Sequence, residues 1–372
     1  LRVSTLELFF DLVFAFTLTQ LTALLADRLS LAGMAQVLLV FGVLWWMYGG
    51  YAWLTNARTP ERTAERLLLL LGMAGFLIVG LAIPRGFSHS GPSGGGLALG
   101  LGYLLVVLVH TTLYYRVNRN ILRISPFNVT SALLVIIAGA AGGLAAYLLW
   151  AAALAIQVLS PLVTRLAGRF EIQPAHFAER HGALIIVALG ESVAAVGIGA
   201  ARLAITTEVV TAAVLGLALS AALWWIYFGS GDDERAERAM TAASSARRPG
   251  LALSGYFYAH IPMLLGIVVL AAGVKLTIGQ AAQPHPARQA LALGGGAALF
   301  LAGDALFRRA LRIGRAWPRA VTAVFALAST ALGATVAIEA QLAVLLAGLA
   351  TLLAAERHRD AGNLPGAGEW ST

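Results

Sequence analysis

The sequence predicts an all-α integral membrane protein of about twelve transmembrane helices, built as two parallel six-helix repeats with the N and C termini cytoplasmic. Three observations predict it. The chain of 372 residues is 59% hydrophobic and only 12% charged, where soluble proteins carry roughly 25% charged residues. Apolar stretches recur along its length, each near the roughly 17–25 residues a helix needs to cross a bilayer core. They fall at 8–26, 33–54, 66–84, 97–115, 126–142, 145–164, 182–201, 208–229, 250–273, 289–307, 320–336 and 338–355. The basic residues then segregate. With the N-terminus inside, only Arg28, Arg85, Arg202, Lys275 and Arg288 fall outside, and the other 21 of the 26 Lys and Arg fall inside. That is the positive-inside bias of a multi-pass protein, and merging neighbouring spans would destroy it.

Taken in order, the first span opens on Glu7-Leu-Phe-Phe-Asp11, and the second carries Leu44-Trp45-Trp46-Met47-Tyr48-Gly49. The seventh opens on Glu179-Arg180-His181-Gly182 and runs to Leu189-Gly190-Glu191-Ser192. The eighth carries Leu223-Trp224-Trp225-Ile226-Tyr227-Phe228. The fourth and tenth also open alike, on Leu97-Ala98-Leu99-Gly100 and Leu291-Ala292-Leu293-Gly294. An even number of spans per copy gives both copies one orientation, as in transporter folds with an axis along the membrane normal. The first repeat is therefore placed at 1–170 and the second at 171–359, with a disordered, polar, Gly-rich cytoplasmic tail at 360–372. Gly142-Gly143 divides the fifth span from the sixth, and Glu339 the eleventh from the twelfth. The Gly/Ser/Pro-rich segment 85–96 reads as a flexible outside loop. The segment 231–249, rich in Asp, Glu and Arg, reads as a solvated cytoplasmic linker. The first apolar run lacks a small-residue cleavage site and is expected to remain as a helix rather than to be removed as a signal peptide.

Composition also excludes function classes. The net charge of +8 is the positive-inside signal and a hold on anionic lipid headgroups, so no nucleic-acid partner is expected. There is no cysteine, which removes disulfides and thiolate metal sites. No His-Glu-x-x-His, Walker loop or Ser/His/Asp spacing is present, and neither a metal nor a cofactor is expected. The expected partners are membrane lipids and a small solute or ion, and a homo-oligomer is compatible with the pattern.

Ionisable side chains inside a bilayer are costly and mark function. Glu7 and Asp11 are four apart on one helix face, where they could bind a proton or cation or simply favour the positive end of the helix dipole. Thr19 and Thr22 continue a polar stripe inward. Glu191 is the deepest acid, twelve residues beyond Glu179 and so about 18 Å along a helix. Gly190 beside it is expected to let another helix approach closely. Glu179, Arg180 and His181 stand at the cytoplasmic mouth, where His181 could relay protons toward Glu191 or anchor headgroups. Asp304 and His110 occupy matching places in the tenth and fourth spans, with Arg308 one turn from Asp304 as an ion-pair partner. His260 precedes Pro262, which is expected to break the ninth helix and free a carbonyl.

Together, Glu7-Leu8-Phe9-Phe10-Asp11-Leu12-Val13-Phe14, Glu179-Arg180-x-Gly182 and Leu189-Gly190-Glu191-Ser192 resemble the bacterial low temperature requirement protein A (LtrA) family. The resemblance covers nearly the whole chain. It implies an integral membrane protein linked by name to growth in the cold, with Glu7, Asp11, Glu179, Arg180, Gly190 and Glu191 in the family pattern, but it supplies no established activity. Phe9-Phe10-Asp11 is also similar in position to a Phe-Ser-Asp signature of a lysosomal and bacterial potassium-channel family built from six-helix units, although the second half has no matching Phe-x-Asp. The leading expectation is a proton- or cation-coupled secondary transporter in a bacterial cytoplasmic (inner) membrane, using Asp11, Glu191, Glu7, Glu179, His181, Asp304 and His110. The alternatives are a cation channel lined by the first helix of each repeat, and an intramembrane enzyme acting on lipid or a lipid-linked substrate. An enzyme is the less favoured class.

Overall fold

Helix α1 (Thr5–Asp27) begins at a capping box. The Ser4 hydroxyl accepts the Glu7 N–H at 3.3 Å, and the Glu7 carboxylate accepts the Ser4 N–H at 2.9 Å. Two orphan donors at the helix start are thereby satisfied. A computed structural model describes residues 2–87, 94–164 and 172–362, and all regular structure among them is helical. After α1 come α2 (Leu31–Ala57), α3 (Thr63–Ala82), α4 (Gly94–Tyr115), α5 (Ile121–Ala141) and α6 (Gly143–Thr164). Gly142 and Gly143 both take positive φ, +66° and +54°, which glycine adopts without strain. The α5–α6 division therefore falls where the glycine pair predicts it.

The chain continues with α7 (Pro174–Ala200) and α8 (Thr207–Trp224), which closes on a π turn, Trp225–Gly229. Next are α9 (Asp232–Ala242) and α10 (Arg248–Leu251). A second π turn, Ala252–Tyr258, leads into α11 (His260–Thr277). The last helices are α12 (Ala287–Leu311), α13 (Trp317–Ala328), α14 (Thr330–Thr335) and α15 (Ile338–Gly362). Among the described residues, eleven helices are long and apolar enough to cross a membrane.

The expected span 320–336 is not one of them, because it is split at Ser329 into α13 and α14. The Gly333 carbonyl accepts from His285 N–H at 3.0 Å, while Ile338 and Glu339 donate to the Gln283 and Ala281 carbonyls. The loop before α12 is thus stitched to the turn before α15. Two other expectations change. The segment 231–249 is not simply a solvated linker, since α9 buries Ala236, Met240 and Asp232. The loop expected at 85–96 ends by Gly94, where α4 already begins; residues 88–93 lie outside the described residues. Of the expected tail, 360–362 complete α15, and 363–372 lie outside the described residues.

α1 packs on α2, α3, α7 and α11, and α7 on α1, α8 and α11. The residues that touch between α1 and α7 keep a near-constant chain separation, 169 to 173 positions. A constant separation means that the two helices run the same way, side by side. Elsewhere helix pairs close on bare backbone. A Cβ added at Gly266 of α11 would stand 2.6 Å from the Gly296 carbonyl oxygen of α12, and one at Gly296 would stand 2.6 Å from the Leu270 nitrogen. Small residues at such crossings let two backbones approach and replace side-chain packing with backbone contact.

Candidate functional site

The α1 repeat of acids and the α7 basic group meet in one buried cluster. Arg180 of α7 is only 1% exposed. One of its terminal nitrogens lies 3.1 Å from Glu7 Oε1 and the other 3.3 Å from Asp11 Oδ1. Glu7 and Asp11 are one helical turn apart on one face of α1, so a single planar guanidinium spans both. It also donates to the Thr55 hydroxyl on α2. Its carbon sits 5.5 Å from the Phe10 ring centroid and 5.6 Å from that of Tyr48, cation–π contacts that count for more once desolvated. Tyr48 of α2 donates to Asp11 Oδ1 at 2.9 Å. The second oxygen, Asp11 Oδ2, is buried and has no hydrogen-bond partner.

His176, one turn before Arg180, completes the cluster, with Nε2 3.1 Å from Glu7 Oε1. Its tautomer follows from a chain of bonds. The Gln173 N–H donates to Asn56 Oδ1 at 2.9 Å, so the Asn56 amide nitrogen is the atom facing His176 Nδ1, at 3.2 Å. Nδ1 therefore accepts, and the ring proton lies on Nε2 and is donated to Glu7. The cluster holds two carboxylates against one guanidinium.

The sequence-predicted residues divide among several places. Glu191 stands farther along the same α1/α7 seam, where Thr19 donates to its Oε2 at 2.5 Å. Thr22 is buried nearby on α1 with its hydroxyl unpartnered. Asp11 and Glu191 are thus two stations on one seam, separated by the eight residues from Asp11 to Thr19, about 12 Å of helix. Gly190 does not serve helix packing as expected, since it is exposed and a Cβ there would meet no atom within 4 Å. Glu179 is exposed and accepts the Val3 N–H at 3.2 Å, so it ties down the start of α1 outside the cluster.

His181 is buried, not interfacial. Its Nδ1 donates to the Phe177 carbonyl at 2.8 Å, and its ring packs on Phe177, Tyr256 and His260. It lies about 15 Å from Glu191 along α7 and faces this aromatic group instead. His260 sits just beyond the π turn, where Tyr227 donates to its Nε2 at 3.1 Å and its Nδ1 donates to the Gly255 carbonyl at 3.2 Å. Pro262 lacks an N–H, and the wide turn before it accommodates that loss, so the helix is widened rather than broken.

Asp304 belongs to a second ion cluster. Arg319 of α13 approaches it at 3.3 Å, closer than Arg308 at 3.8 Å. Arg308 instead pairs with Asp232 at 2.6 Å and with Glu356 at 2.7 Å. Arg319 also holds Glu356 at 2.8 Å, and Arg235 holds Asp232 at 2.6 Å. Three acids face three arginines here, joining α9, α12, α13 and α15. His110 lies apart from both clusters, on α4 beside Tyr51 and Tyr114. Among the described residues, no group of three His, Asp or Glu side chains is placed to hold a metal ion.

Asp232, His176 and Arg319 carry weight that their sequence context hides. Asp232 sits in a run of mixed charge, and His176 and Arg319 each lie near the start of a helix, where a basic residue reads as a headgroup anchor.

These helices and buried polar clusters define a multi-pass membrane protein. The model of the bacterial low temperature requirement A protein (LtrA) family matches residues 2–355, and the chain belongs to that family. It is also 29% identical over 326 residues to an uncharacterized protein of Rhizobium meliloti (strain 1021), covering 83% of this chain and 77% of that protein.

Proposed function

We propose that the protein is a proton- or cation-coupled secondary transporter of a small solute, with its coupling groups on the α1/α7 seam. The observation that carries this reading is the charge imbalance around Arg180. Glu7 and Asp11 share one guanidinium, and Asp11 Oδ2 is buried without a partner. A bare excess charge inside a membrane protein is expensive. A proton or small cation taken up at Asp11 Oδ2 offsets it, and release restores the imbalance, so occupancy becomes a handle on conformation. The second cluster, with three acids against three arginines, has no such vacancy in charge and serves as a staple.

Glu191 is the second coupling station, reached along α1 through Thr19. The parallel course of α1 and α7, and the matching neighbour pairs α1–α3 and α7–α11, α2–α6 and α8–α15, α3–α4 and α11–α12, support a duplicated architecture. In it α1–α6 and α7–α15 form two like-oriented halves, with α13 and α14 together making one crossing and both termini inside a bacterial inner membrane. Transport would then be a movement of one half against the other at the α1/α7 seam.

The test is charge movement across proteoliposomes under an imposed pH gradient with a panel of small ions and amines. Wild-type protein should give a saturable current that Glu191→Gln abolishes and Asp11→Asn reduces at least tenfold. Full activity in both variants would sink the mechanism.

A further inference from the structure

We infer that the cleft where α2 ends, α3 begins and α4 ends holds the phosphodiester of a monoanionic phospholipid, of the phosphatidylglycerol type, between Arg58 and Arg116. Leu54, Leu69, Leu113 and Val117 line the cleft together with the two arginines and Glu65. All three helices are long and apolar enough to cross a membrane, so the place where these ends meet lies at headgroup depth. Helical register sets apolar and charged groups side by side. Leu54 and Arg58 on α2, and Glu65 and Leu69 on α3, are each one turn apart, and Arg116 lies between Leu113 and Val117 at the end of α4. Arginines at span ends carry their heads to the interface while their stems cover apolar surface.

Charge selects the ligand. Glu65 is already satisfied within the protein. Arg58 lies 3.3 Å from its Oε1, and the Glu61 and Arg62 N–H groups donate to its Oε2 at 3.3 and 3.4 Å. A guanidinium has five N–H donors, so Arg58, half exposed, keeps donors beyond that pair. Arg116 is exposed and has no acidic partner among the described residues. Two guanidinium groups against one carboxylate leave one positive charge, which the single negative charge of a phosphodiester matches. A zwitterionic lipid brings an ammonium as well, and Glu65 is taken. Volume then favours a lipid over a free anion. The enclosed part is about 20 Å³, room for about one water-sized group, so the bulk of the ligand must lie outside it. A lipid keeps that bulk in the membrane, whereas a free anion would lose water against leucine side chains. Thr55 lines the same cleft and accepts from Arg180, so the lipid lies one side chain from the buried cluster. The site does not depend on the transport reading.

The test is native mass spectrometry of the full chain in detergent, titrated with phosphatidylglycerol or with phosphatidylcholine of the same acyl chains. Phosphatidylglycerol should bind more tightly. Arg116→Gln should weaken the tightest-bound phosphatidylglycerol about fivefold, the worth of one arginine beside an anionic headgroup, and Arg116→Glu about twenty-fivefold. Neither should change phosphatidylcholine. Arg116 is exposed, so both substitutions leave the core intact. Arg123→Gln is the control for diffuse surface charge. Arg123 is exposed at the start of α5 and does not line the cleft, and its loss should leave the tightest site unchanged. Inorganic phosphate in large excess should not displace the lipid. Equal affinity for the two lipids, no loss in folded Arg116→Glu, an equal loss in Arg123→Gln, or displacement by phosphate would overturn the proposal.

Discussion

Arg180 joins three helices through one guanidinium, touching α1 at Glu7 and Asp11 and α2 at Thr55. Removing one partner of a buried ion pair leaves an uncompensated charge and typically costs about 3–5 kcal/mol. Arg180→Met should therefore lower the melting temperature sharply in detergent. Adding Glu7→Gln and Asp11→Asn to it should recover most of the loss, since the uncompensated charges are then gone. If the triple variant is no more stable than Arg180→Met, packing rather than charge is what Arg180 supplies. The acids of this cluster were legible in the sequence, because carboxylates at helical spacing inside an apolar run are costly in a bilayer. Arg180 was not. An arginine near the cytoplasmic end of a span reads as a headgroup anchor, and only the packing of α7 against α1 turns it inward. His176 was hidden for the same reason, and Asp304 was assigned Arg308 when its closer partner comes from α13, fifteen residues on in the chain.

At the level of elements, span positions follow directly from apolar run length, and the Gly142-Gly143 break is a local conformational fact. The split of α13 from α14 is different. The split falls at Ser329-Thr330, a small polar step in an otherwise apolar run, and beyond it the loop around Gln283 and His285 takes backbone bonds from Gly333, Ile338 and Glu339. The roles of the glycines are equally tertiary. Gly296 lies at a backbone crossing and Gly190 faces outward, yet both stand in similar apolar helical context. Gly296→Val should lower stability by about 1–3 kcal/mol through overpacking. Gly190→Ala should be neutral or stabilise by up to about 1 kcal/mol, the helix preference of alanine over glycine. Thermal melts of the two variants side by side check this, and equal effects would contradict the packing described.

For the whole molecule, the proposed arrangement fixes which connections face which side. The chain lacks cysteine, so single cysteines report on topology directly. Ile205, between α7 and α8, is 89% exposed, and Ser245, between α9 and α10, is exposed as well. A membrane-impermeant maleimide should label Ile205→Cys in intact cells and Ser245→Cys only after permeabilisation; the opposite pattern would reverse the orientation. Charge bias is what argues for this orientation from the sequence, whereas the side-by-side course of α1 and α7 needed the structure, because apolar composition makes every pair of spans look compatible. That course also has an electrical consequence. The two acidic stations differ in depth by about 12 Å, roughly two-fifths of a hydrocarbon core about 30 Å thick. Moving one elementary charge across the whole core involves about 2.3 kcal/mol per 100 mV. In the proposed orientation a proton passing between the stations would feel about 0.9 kcal/mol of that, and an inside-negative potential of this size would shift its residence about fourfold to fivefold toward Asp11.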